Sequence, residues 1–143
     1  MAHRNHAEIE IARPPEDVFP WLVEPEKRLR WVQGLESSQP AGENRYREVF
    51  ADHGMRTEVD VEVRRLEPPH AVDIHIASAK QFEAEGRTRA TATDAGTRVE
   101  STLETEYRGF VARAAAPMIT RHAQTSLERS LARLKELVEA DAS

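Results

Sequence analysis

The chain has 143 residues, 31% of them charged, with a net charge of −5 and no cysteine. One domain of about 100–150 residues is an ordinary size and needs no covalent staple. Disulfides, thiolate metal sites and a cysteine nucleophile are excluded; interleaved acids and bases argue against a nucleic-acid footprint, and no apolar run approaches the ~20 residues that span a bilayer.

The first six residues, Met1 to His6, lack the apolar core of a signal peptide, so a cytoplasmic location is expected, in keeping with the missing thiols. Ala7–Ile11 alternates Ile9 and Ile11 with Glu8 and Glu10 and reads as a half-buried strand. His3 and His6 precede it in what reads as a frayed end. Pro14-Pro15 closes the strand, and Glu16 and Asp17 open a helix whose dipole favours acids in its first turn. Val18, Trp21 and Leu22 form its buried side. Pro20 removes one amide there, which predicts a kink or a very short helix. A second short helix is expected from Pro25 to Arg30, near Trp31, with Gly34 closing the segment.

A meander of six strands follows: Leu35–Gln39, Arg45–Ala51, Met55–Leu66, Ala71–Ala77, Phe82–Ala92 and Thr97–Tyr107. Pro40-Ala41-Gly42, Asp52-His53-Gly54, Pro68-Pro69 and Asp94-Ala95-Gly96 punctuate it. Thr57, Val59, Val61 and Val63 alternate with Glu58, Asp60 and Glu62. Val99, Ser101, Leu103, Thr105 and Tyr107 likewise alternate with acids and Thr102, as antiparallel sheets with one wet face allow. Arg87 and Arg89 have the spacing to meet Glu100, Glu104 or Glu106 across the strands.

After Arg108 the period changes from two to 3.6. Phe110 to Ala140 is one predicted helix, with Leu127, Leu131, Leu134 and Val138 on one face. Such a stripe must lie against a partner, and the sheet is the only large one. The helix is uneven: Ala112, Ala114, Ala115 and Ala116 crowd its first half, whereas leucines dominate later. Small side chains there mean either close packing or unfilled volume. Continuing the leucine stripe backwards places Ala116, Thr120 and Ala123 towards the sheet with Gln124 beside them, where Thr120 and Gln124 would orient the polar end of a ligand.

The order strand, two short helices, six strands and a long terminal helix resembles the START-like helix-grip superfamily, or SRPBCC group. The stretch Ala12-Arg13-Pro14-Pro15-Glu16-Asp17-Val18-Phe19-Pro20-Trp21-Leu22-Val23-Glu24-Pro25-Glu26, the segment Trp31-Val32-Gln33-Gly34 and the run Ser126 to Glu139 carry the likeness. Pro20 and Glu24 depart from it. The resemblance implies an α+β fold over residues 1–143 as a single domain: a curved seven-stranded antiparallel sheet wrapped around the last helix. It also implies binding of a hydrophobic or aromatic small molecule, polyketide-like or lipid-like, between the two, with cyclase or dehydrase chemistry as an open question. A protein-interaction module of the same fold and a quinone or lipid carrier stay as alternatives. A homodimer is allowed; nucleic acid and integral membrane association are not expected.

No nucleophile elbow, phosphate loop or dinucleotide fingerprint is present, and no cofactor is expected. The six histidines, His3, His6, His53, His70, His75 and His122, lack the spacing of a helical zinc site, so no metal is expected. Glu48 is the one catalytic candidate. It shares a strand face with Tyr46 and Phe50, and two phases are open. Turned inward, its carboxyl would sit in an apolar cup that favours the neutral acid, a setting for proton transfer; turned outward, it meets water. Trp31, Phe50, Val61, Ile74, Phe82, Tyr107, Phe110, Ala116, Thr120 and Gln124 are the expected ligand-binding residues, and Trp21 is assigned to the core.

Overall fold

A computed structural model describes residues 2–52, 54–78 and 81–141; the predicted turn position of His53 lies outside them. Seven antiparallel strands form one sheet in the order β1-β7-β6-β5-β4-β3-β2. They are β1 (His3–Ile11), β2 (Leu35–Gly42), β3 (Arg45–Asp52), β4 (Met55–Glu67), β5 (Ala71–Ser78), β6 (Phe82–Thr93) and β7 (Gly96–Tyr107). The helices are α1 (Pro15–Val23), α2 (Pro25–Trp31) and α3 (Phe110–Ala140). β1 and β2 are successive strands yet lie at opposite edges, so α1 and α2 must cross from one edge to the other. A shift of register between Val63 and Arg65 in β4, and two in β2, bend the strands locally and raise their twist.

The core sits at one end. Leu131, Leu134 and Val138 of α3 pack with Val18, Phe19, Trp21 and Leu22 of α1 and with Ile11, Val72, Ala90 and Val99 of the sheet. Lys27 and Arg30 lie over the Trp21 ring, 5.1 and 5.0 Å from its centroid, and their cations cover an indole whose other surfaces meet the core. Gly96, at φ 144°, turns β6 into β7 so close to β1 that an added Cβ would lie 2.2 Å from the Ile11 carbonyl oxygen; only a residue without that atom fits.

α3 also covers the free edge of β1. The Gln124 amide accepts from His6 N at 3.2 Å and donates to His6 O at 2.8 Å. Lys135 Nζ donates to Glu10 O at 2.9 Å, and Glu139 Oε2 accepts from Ala12 N at 2.8 Å. These side chains take the place of a further strand and leave the edge with few groups to offer another chain.

Two expectations are corrected. β1 begins at His3 instead of Ala7, because β7 is long enough to pair His3 with Thr105 and Gln124 secures His6. β2 runs through Pro40 to Gly42, and the reversal falls at Glu43 and Asn44, the latter at φ 57°, a left-handed conformation that asparagine tolerates. Pro40 is accommodated because β2 is an edge strand, where a missing donor costs no ladder bond. Pro20 lies inside α1, whose nine residues agree with the short helix that the proline predicts, and the carbonyl of exposed Glu16, which the proline leaves without its donor, can turn to water.

Candidate functional site

Alternation places one face of every central strand towards α3. Since Val72, Ala90 and Val99 belong to the core, Ile74, Ile76 and Ser78 of β5, Phe82, Ala84 and Gly86 of β6, and Leu103, Thr105 and Tyr107 of β7 share that face. Pairing of Val61 with Ile76, of Tyr46 with Val61 and of Glu48 with Val59 extends it across β4 and β3. The second half of α3 seals this face at the core end. Towards the first half the packing is looser: Ala116 is the one buried side chain there, and Ile76, Phe82, Leu103 and Tyr107 stay half-buried although they point inward.

Glu48 takes the inward phase and is 1% exposed. Its surroundings are not an apolar cup. Arg28, reaching from α2, pairs with Glu48 Oε2, and the Ser38 hydroxyl donates to the same oxygen at 2.8 Å. Arg28 is itself largely buried, so the pair is shielded from water and each charge depends on the other. Its geometric effect is to pin α2 onto the β2–β3 hairpin. The sequence reading missed Arg28 and Ser38. Hairpin register sets Ser38 opposite Glu48, a pairing hidden in the sequence by the extension of β2 to Gly42 and its two register shifts, and Arg28 on a short exposed-looking helix gave no signal.

A second polar group gathers where β1, β7 and α3 meet. Tyr107 meets His3 edge-on, with ring centroids 5.5 Å apart, and Phe82 at 6.4 Å. Desolvation raises the Tyr107 phenol above its ordinary range, and the neighbouring Thr120 hydroxyl opposes that rise. Thr120 Oγ1 is sealed from solvent and completes no well-aligned hydrogen bond. Asn5, also missed in the sequence, is buried and donates to Thr120 O at 2.9 Å and to Gln124 Oε1 at 3.2 Å.

Of the expected binding residues, the structure brings Phe82, Tyr107, Thr120 and Ala116 to this end of the fold, with Val61 and Ile74 along the same sheet face and half-buried Phe50 on β3. It separates three others. Trp31 packs against the core, its indole nitrogen donating to Trp21 O at 2.8 Å. Gln124 is occupied by the β1 edge. Phe110, the first residue of α3, is 89% exposed.

Two depressions, of about 410 and 400 Å³, open on the outer face of the sheet between charged side chains such as Arg65, Arg89 and Glu100, or Arg45, Asp60 and Arg64. Arg89 is engaged by Asp73 at 2.6 Å, Arg45 by Glu62 at 2.9 Å and Arg64 by Glu85 at 3.1 Å. These are dishes in a paired polar surface, unlike the apolar space expected beside α3. Arg87 meets Glu104 at 3.5 Å, and Arg89 sits opposite Glu100 as the spacing predicted, although its guanidinium pairs with Asp73 of β5. Among the described residues no three histidines or carboxylates converge on a point fit for a metal ion, and no helix is long and apolar enough to cross a membrane.

A family model described as polyketide cyclase / dehydrase and lipid transport matches residues 2–139. No curated protein matches in sequence. Among solved structures, TTHA0849 from Thermus thermophilus superposes with a TM-score of 0.81 at 22% identity, over 98% of this chain and 99% of that one. A conserved protein from Geobacillus kaustophilus gives 0.80 at 18%, over 96% and 95%. Ara h 8.0201 gives 0.72 at 13%, over 99% and 100%. At these identities the likeness is one of fold, the helix-grip arrangement of curved sheet and long helix.

Proposed function

Because the chain belongs to the polyketide cyclase / dehydrase and lipid-transport family, we propose that it binds a hydrophobic or aromatic small molecule between the concave sheet face and the first half of α3. The observation that carries this reading is the contrast along the helix. At the core end, the inward Val72, Ala90 and Val99 are buried; at the other end, the large side chains Ile76, Phe82, Leu103 and Tyr107 point inward and remain half-buried between the small buried Ala84 and Thr105. Apolar surface left in that position gains from a ligand that covers it, by roughly 25 cal/mol for each Å² removed from water. The Tyr107 and Thr120 hydroxyls supply a polar end that fixes orientation.

Binding of this kind acts by enclosure. A flexible substrate held in one folded conformer and screened from water is closer to cyclising than one in solution. Glu48 enters such chemistry only if a ligand group displaces Arg28, since the carboxylate is otherwise held by Arg28 and Ser38. A Glu48→Gln variant that keeps both fold and turnover would remove it from the reaction.

The test is native mass spectrometry of the purified protein with extraction of whatever co-purifies, followed by titration with a fluorescent apolar probe. A retained apolar molecule, or saturable one-to-one probe binding that Leu103→Trp abolishes in a folded variant, supports the reading. Probe binding that is absent, or indifferent to Leu103→Trp, overturns it in favour of a protein-interaction module with a filled interior.

A further inference from the structure

The first half of α3 carries a surface that ligand binding does not use. Phe110, Val111 and Met118 are 89%, 79% and 77% exposed, and Ile119 is also exposed. At about 100° per residue, these side chains span the arc opposite Ala116 and Thr120, so they face away from the sheet. Met55, 72% exposed, comes from the β3–β4 hairpin, and that hairpin lies beside the helix because Asp52 pairs with His122 at 2.5 Å. Two separate elements thus present long apolar side chains along one rim, where a water-facing helix would normally carry charge.

Along the first half of α3 itself the charge has one sign. From Tyr107 to Leu127 the chain has three arginines, Arg108, Arg113 and Arg121, and no acid, although the whole protein is acidic. Arg108 is paired with Glu83 at 2.5 Å, and Arg113 donates to Tyr107 O at 3.3 Å. Neither Arg113 nor Arg121 has an acidic partner among the described residues. Asp52 and Glu83 beside the helix are each already paired, with His122 and Arg108.

From this we infer that the first half of α3 docks the protein on an anionic lipid surface, with Phe110, Val111 and Met118 inserted among the acyl chains and Arg113 and Arg121 on lipid phosphates. An amphipathic helix with aromatic and aliphatic residues on one arc and arginines beside them fits the interface of a bilayer. A protein partner would need an acidic and apolar surface matched to this arc, whereas anionic lipid supplies both properties without shape matching. The docking stands independently of what the interior holds.

The experiment is flotation of the intact chain with vesicles of equal parts phosphatidylglycerol and phosphatidylcholine, and with phosphatidylcholine alone, at low and high salt. Wild type is expected to float with the anionic vesicles at low salt only. Arg113→Ser and Arg121→Ser should each weaken binding about fivefold, and the Phe110→Ser, Met118→Ser double variant by about tenfold or more. All these side chains are exposed, so unchanged thermal melting confirms that folding is intact. Failure to float with anionic vesicles, equal flotation of wild type and variants, or capture of a protein through the same residues without vesicle affinity would each overturn the inference. Because vesicle binding needs no bound ligand, its outcome is separate from that of the probe titration.

Discussion

Tyr107 and Glu48 are the two residues whose environments depart furthest from what their positions in the sequence suggest. Tyr107 ends a strand, yet its phenol is desolvated and raised. Raised in the fold, it contributes stability that is complete below the ordinary tyrosine range, near 10, and is lost as pH rises through the folded value. Tyrosinate absorbance should therefore show a late titration that is missing in Tyr107→Phe. A late titration that persists in Tyr107→Phe, or none in the wild type, would contradict this environment. Glu48→Gln leaves Arg28 buried without its counter-charge and is expected to cost about 3–5 kcal/mol in denaturant unfolding. Replacing both partners with apolar residues, as in Arg28→Met with Glu48→Leu, should recover most of that loss, since two absent charges need no solvation. A double variant as unstable as the single one would mean that the pair is needed for more than mutual neutralisation.

Among the elements, α3 does two tasks with two halves. Its second half builds the core, and its polar flank binds the β1 edge through Gln124, Lys135 and Glu139. The Lys135 ammonium and the Ala12 amide hold the Glu139 carboxyl below the ordinary glutamate range. Depressed in the fold, it contributes stability that is present above the unfolded glutamate value and lost as pH falls through the folded one. The melting-temperature difference between wild type and Glu139→Gln should accordingly shrink as pH drops below about 4.3. A difference that persists unchanged in acid would assign the effect to packing. Gln124→Leu removes both bonds to His6 and should raise amide exchange across His3–Ala7 while sparing Glu8–Ile11; uniform exchange along β1 would show that pairing with β7 alone sets the strand's stability.

At the scale of the whole molecule, the fold has a sealed end and a loose end, divided roughly midway along α3. Sealing needs leucines on the helix, and these begin only at Leu127, past Ala116, Thr120 and Ala123. If the loose end serves a ligand, filling it should stabilise the empty protein and block binding together. Thr105→Val, which replaces a buried hydroxyl on that face by a methyl group of similar shape, should change probe affinity by less than about threefold if the ligand makes no bond to that hydroxyl. A loss beyond tenfold would make the Thr105 hydroxyl a direct ligand contact.

Periodicity and turn residues in the sequence determined the elements, their order and most of their limits: α3 was legible from Phe110 to Ala140 because period 3.6 replaced period two within a few residues, and β3 to β7 because one face of each was wet. They also showed that the two halves of α3 differ. The tertiary structure alone decided which end of β1 was ordered, which way Glu48 pointed, and which of the candidate aromatics met one another. Each of these depends on groups distant in the chain, on Thr105 and Gln124 for β1, on Arg28 for Glu48, and on the α1–α2 crossing for Trp31. Local pattern records whether a side chain seeks water or not. It does not record which partner meets a buried charge, because that partner is fixed by how the sheet curves and where the helices cross it.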